Sequence, residues 1–159
     1  MTTERPLLER DVEYRPAVPA TLEAVYTDLE HFWTDVSAEI SATIADKLKL
    51  ELVTALTEIC ANIIEHAFAD SPQPGTMELR IRLYKDRVEV ETTDNGARFS
   101  EQKGDADPAP GDVADLPETG RGLSVARALL DTLNYRRTKE SKNRWLLVKM
   151  LHAPSERCG

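Results

Sequence analysis

The spacing of apolar residues changes sharply near the middle of the chain, and that change limits what the chain can fold into. Ile44, Leu48, Leu52, Leu56, Ile59, Ile63 and Ala67 recur at helical spacing. They put one apolar stripe along a helix from about residue 41 to 68, which Ser71-Pro72 stops. From Met77 the pattern becomes a strict alternation. Met77, Leu79, Ile81 and Leu83 interleave with Glu78, Arg80, Arg82 and Tyr84, a strand with one face buried and the other in water.

Lys85-Asp86 turns the chain. Val88 and Val90 then alternate with Glu89 and Glu91 in a return strand that closes at Thr93-Asp94-Asn95-Gly96. Upstream, residues 12–18 read as an edge strand whose pairing is limited by Pro16 and Pro19. Leu22, Val25, Tyr26, Leu29, Trp33 and Val36 follow at helical spacing, with Thr21 as the N-cap. Residues 97–119 carry Gly104, Pro108, Pro110, Gly111 and Pro117 without any period. A loop of that length inside a domain is functional or disordered, and this one lacks apolar residues to anchor it. A helix follows Gly120-Arg121-Gly122, with Leu123, Ala126, Leu129, Leu130 and Leu133 on one face. Strands at about 134–139 and 144–151 form a closing hairpin. Helices, hairpin, helix, hairpin is the order of an α+β fold, with helices on one face of a mixed, mostly antiparallel sheet.

The 159 residues suffice for one domain, expected over residues 12–151 with flexible ends at 1–11 and 152–159. A net charge of -8 argues against an exposed nucleic-acid surface, which needs clustered Lys and Arg. Cys60 and Cys158 lie far apart, and Cys60 falls in the apolar helical pattern, so a buried free thiol is expected. No apolar run follows the first residues, and none approaches the roughly 20 residues of a membrane span. A soluble, cytoplasmic protein without a membrane partner is the expectation.

Three signals carry chemistry. Glu58 and Asn62 stand one helical turn apart and share a face. A carboxylate beside a carboxamide can position a nucleophile and ligate a hard cation, although such pairs also decorate ordinary surface helices. His66 extends that face and is expected to pack or cap. Asp94-Asn95-Gly96 ends a strand. Its carboxylate can accept from an exocyclic amine while Gly96 admits a ring to the backbone, although Asp-Asn-Gly is also common turn chemistry. Gly120-Arg121-Gly122-Leu123 opens a helix, where free amides and a cation suit a phosphate, and it is equally a hinge. It is neither a Walker loop nor a dinucleotide fingerprint, because no Gly-Lys-Ser/Thr follows and no strand leads straight into it.

Taken in order, these signals resemble the Bergerat-fold (GHKL) ATPase superfamily, and within it the anti-sigma regulatory factor serine/threonine kinase family. Ala55-Leu56-Thr57-Glu58-Ile59-Cys60-Ala61-Asn62-Ile63-Ile64-Glu65-His66-Ala67-Phe68 is similar to that family's N-box. Asp94-Asn95-Gly96 is similar to its first glycine box, and Gly120-Arg121-Gly122-Leu123-Ser124-Val125-Ala126-Arg127 to its second. The resemblance implies a two-layer α/β sandwich that binds Mg²⁺-ATP. Glu58 would act as general base and Asn62 as the Mg²⁺ ligand. Asp94 would bind the adenine amine with Gly96 lining the ring, residues 97–119 would form a lid, and the amides of residues 120–123 would hold the phosphates, with Arg121 near the terminal one. It further implies that the chain phosphorylates a serine or threonine of an anti-sigma-factor antagonist and sequesters a sigma factor. A homodimer is compatible with it. An ATP-dependent binding switch without phosphoryl transfer is the alternative. A sensor histidine kinase lacks room here for its dimerisation hairpin, and His31 and His66 fall within the domain itself. Two positions depart from the pattern: Arg98 stands at a frequent second glycine, and Leu146 at a last-strand threonine close to adenine.

Overall fold

The alternation at Met77–Leu83 has a structural counterpart in the central strands of one open sheet. In the computed structural model, residues 4–40, 43–69, 75–99 and 118–151 are described. In chain order the elements are β1 (Leu8–Ala17), α1 (Thr21–Asp35) with a π-helical extension Val36–Ile40, α2 (Asp46–Asn62) with a second π-helical extension Ile63–Ala67, β2 (Gly75–Leu83), β3 (Arg87–Asp94), α3 (Glu118–Leu129), β4 (Thr132–Arg137) and β5 (Asn143–Met150). The sheet order is β1-β2-β3-β5-β4. The fold is α+β, as the sequence implies, and every strand pair among the described residues is antiparallel.

Register decides which residues reach the helices. Met77, Leu79 and Ile81 of β2, Val88 and Val90 of β3, and Trp145 and Leu147 of β5 are buried on one face. They form a single core with Leu29 and Phe32 of α1, Leu52, Leu56 and Ile59 of α2, and Leu123 and Ala126 of α3. Polar ties fasten the layers. Asp28 of α1 accepts from Arg10 and from the Tyr14 hydroxyl of β1, each at 2.8 Å. Lys149 of β5 reaches Glu51 of α2 at 2.8 Å and donates to the carbonyl of Leu129, the last residue of α3. A cation there satisfies an otherwise orphaned helix-end carbonyl.

Three local expectations change. β1 begins at Leu8, so residues 8–11 belong to the sheet rather than to a flexible lead-in. Its pairing with β2 shifts register between Tyr14 and Ala17, around Pro16, which has no amide hydrogen to donate. Thr21 does not cap α1 forwards. Its hydroxyl accepts from the Val18 amide at 2.9 Å and so fixes the strand-to-helix corner instead. α3 starts at Glu118, which places Gly120 and Gly122 inside the helix rather than before it.

Candidate functional site

The second half of α2 and its π-helical extension draw the three motifs together, because Gly122 of α3 meets the one and Gly96 meets the other. Glu58 and Asn62 are half-buried on its last turns. A Cβ placed on Gly122 would collide with the Glu58 carboxylate, so that carboxylate lies in the notch left by a glycine of α3. At the other end, the Ala67 carbonyl accepts from the Ala97 amide at 2.7 Å. A Cβ on Gly96 would come 2.5 Å from the Ala67 side chain and 2.6 Å from its carbonyl oxygen. Gly96 is thus required by the chain's own packing, whatever approaches it from outside. Leu123 is a core residue. Of Gly120 and Arg121, only the helical backbone is described. In the α3 frame the amides left free by the helix are those of its first turn, through Gly120, while the Gly122 and Leu123 amides fall inside the intrahelical ladder.

Asp94 is the least ordinary side chain of the three motifs. It is 1% exposed. Its Oδ1 accepts from the Gly96 amide at 2.9 Å and from Asn143 Nδ2 at 2.8 Å. Its Oδ2 is buried without a hydrogen-bond partner. Burial raises its pKa, while the Asn143 and Gly96 donors and the charge of Arg137 pull it back down. A buried, half-satisfied carboxylate costs folding energy unless something donates to it. The Thr92 hydroxyl, two residues earlier on the same face, is also buried without a partner. Cys60 is buried as expected, and its thiol is pushed up to about 12 by burial, with the Asp94 charge adding to it.

Sequence reasoning missed the residues that hold Asp94. Asn143, 1% exposed, faces it directly across the β3–β5 pair. Asn143 Nδ2 also donates to the Ala97 carbonyl at 2.8 Å, and its Oδ1 accepts from the Tyr135 hydroxyl at 2.6 Å and Arg137 Nη1 at 3.0 Å. The available signal was the register of the closing hairpin, which puts position 143 opposite Asp94. Leu146 is correspondingly misplaced as an adenine neighbour. It pairs with Glu91 and Asn134, an odd number of residues from Asn143, and so lies on the opposite face of the sheet.

Most of the expected lid, residues 100–117, lies outside the described residues. Its root is anchored, contrary to expectation. Phe99 packs edge-on against Tyr135 and Trp145, with ring centroids 5.4 and 5.0 Å away, and its amide donates to the Tyr135 hydroxyl at 3.1 Å. Arg98 is exposed. His66 does not pack into the core. It is exposed, 3.6 Å from Glu65.

The histidine kinase-like ATPase domain family matches residues 18–149. The chain belongs to that family. It is 35% identical over 86 residues to the serine-protein kinase RsbW of Halalkalibacterium halodurans, covering 51% of each chain. It is 32% identical over 87 residues to the protein of the same name from Bacillus mycoides, covering 52% of this chain and 53% of that one. The chain therefore matches about half the length of these relatives. Among solved structures, the histidine kinase domain of an Erythrobacter litoralis blue-light activated histidine kinase superposes with a TM-score of 0.53. Identity there is 16%, over 83% of this chain and 60% of that one, a likeness of fold. Among the described residues no helix is long and apolar enough to cross a membrane.

Proposed function

We propose that this chain is an Mg²⁺-ATP-dependent serine/threonine protein kinase of a partner-switching system. It would act in the cytoplasm on an anti-sigma-factor antagonist and sequester a sigma factor in the alternate state. The observation that carries the reading is Asp94 Oδ2, a buried acceptor at the end of β3 with no partner of its own. An exocyclic amine such as that of adenine supplies the missing donor. The family match and the kinases it resembles support the same choice.

Asn62 offers an amide oxygen, a donor type that suits Mg²⁺, which takes its remaining ligands from water and phosphates. Free amides in the first turn of α3 would receive phosphate oxygens, with Arg121 adding charge. When bound, Mg²⁺-ATP supplies the phosphoryl group. Glu58 would accept the proton of the attacking serine or threonine hydroxyl, whose oxygen would take the γ-phosphoryl group as ADP leaves with the bridging oxygen. Little covalent chemistry is asked of the protein beyond positioning and charge neutralisation. The alternative, a nucleotide-dependent binding module that transfers nothing, rests on the departures at Arg98 and Leu146. With Leu146 on the outer face, only Arg98 speaks for it.

Glu58→Gln separates the two. The glutamine keeps size and shape but takes no proton, and loss of a general base costs about 10²–10⁴-fold in rate. The variant should bind ATP as wild type does and transfer labelled γ-phosphate to the co-purified partner far more slowly. Equal transfer by both would acquit Glu58. Absence of transfer by a wild-type protein that binds ATP would favour the passive switch.

A further inference from the structure

We propose that Asn143 is a positioning residue that sets the nucleobase preference of this site, by holding Asp94 as an acceptor for an amino rather than an oxo edge. The proposal rests on the nucleotide reading above and deepens it.

The carboxamide of Asn143 can sit in only one orientation. Its Nδ2 faces Asp94 Oδ1 and the Ala97 carbonyl, each at 2.8 Å, and both only accept when Asp94 is ionised. Its Oδ1 faces Arg137 Nη1 at 3.0 Å, which only donates. Turning the amide over would set oxygen against two oxygens and nitrogen against a guanidinium. The Tyr135 hydroxyl follows the same sense, accepting from the Phe99 amide and donating to Asn143 Oδ1 at 2.6 Å. Donors therefore run in one direction, from Arg137 and the Phe99 amide, through Asn143, to Asp94.

That direction matters at the far end. Oδ1 of Asp94 already takes two donors, from Gly96 and Asn143. Oδ2 is the atom left to meet a ligand. While Asp94 is ionised, Oδ2 accepts from a 6-amino group and repels a 6-oxo group. A proton on Oδ2 would reverse that preference. Burial pushes Asp94 toward the protonated form, and the groups opposing it are Asn143, the Gly96 amide and Arg137. From α2 the neighbouring titratable group is the Cys60 thiol, which burial keeps neutral. Asn143 is the strongest of the opposing contacts, and it lies at the centre of the relay.

ADP and IDP differ in the 6-amino or 6-oxo group and in the proton that the oxo base carries on N1, so their affinity ratio reads the purine edge that would face Asp94. We expect calorimetry on the full chain with Mg²⁺ to give wild type a preference for ADP of about tenfold or more, the scale of one hydrogen bond to a charged group. Asn143→Leu should bring the ratio close to one, by weakening ADP while leaving IDP nearly unchanged. Tyr135→Phe keeps the ring packing and loses only the hydroxyl link, so its ratio should fall between the two, and it serves if Asn143→Leu does not fold. Equal loss of ADP and IDP in both variants, with the ratio preserved, would mean a merely structural role and overturn the proposal. Wild type binding both nucleotides equally would overturn it too, with nucleotide binding intact. Wild type binding neither would overturn the nucleotide reading and this proposal together.

Discussion

Two glycines of this site stand against neighbours of different stiffness, and their replacement should have opposite consequences. A methyl group at Gly122 meets the far end of the Glu58 side chain, which can swing away. Alanine also gains about 1 kcal/mol over glycine within a helix. Gly122→Ala should therefore leave the melting temperature unchanged or raise it, while displacing the carboxylate and slowing phosphoryl transfer. A methyl group at Gly96 meets the Ala67 carbonyl, which is backbone that also accepts from Ala97. Gly96→Ala should cost about 1–3 kcal/mol through overpacking. Denaturant melts of the two variants check the contrast, and a destabilised Gly122→Ala beside a neutral Gly96→Ala would contradict it.

Among the elements, the segment leaving β3 is held by more than its glycine. Ala97 is bonded to the end of the α2 extension, and Phe99 is clasped by Tyr135 and Trp145, whose own ring centroids are 4.9 Å apart. The amides of Ala97 and Phe99 should exchange slowly with solvent, and Phe99→Ala should release both. Hydrogen exchange that finds these amides unprotected in the wild type would contradict the anchored root. The rings show where sequence reading stops. Glu58, Asn62 and Asp94 were legible because each sits at a recognisable point of a local period: a shared helix face, a strand end. Asn143, Tyr135 and Arg137 occupy an ordinary hairpin, and their meaning arises only from β5 pairing with β3, a contact between distant parts of the chain. Leu146 was misplaced for the same reason, since a one-residue error in register changes the face of the sheet. The start of α3 is not legible because glycines suggest a boundary, whereas here Gly122 lies within the helix and leaves room for Glu58.

At the scale of the molecule, one sheet face carries the three described α-helices and the other carries charge. Arg82 sits among Glu9, Glu89 and Glu91, and Arg87 among Glu4, Asp86 and Glu89. These pairs are partly buried, with Arg82 and Glu89 each 18% exposed, and Arg82 ties β2 to Glu9 of β1 and Glu89 of β3 on that outer face. The hydrophobic core lies between sheet and helices, and the fold tolerates a buried, half-satisfied carboxylate on the same sheet face. With its folded pKa raised, Asp94 favours folding most below its unfolded pKa, and that contribution is lost as pH rises through the folded value. Asp94→Asn removes this loss, so its stability relative to wild type should grow as pH rises through that window. The same substitution puts an amide in place of the unpartnered acceptor. The most direct test is a calorimetric titration of Mg²⁺-ATP into wild type and Asp94→Asn at neutral pH. The account predicts binding by the wild type and affinity at least about tenfold weaker in a variant that melts no lower. Equal affinity in the two proteins would contradict it.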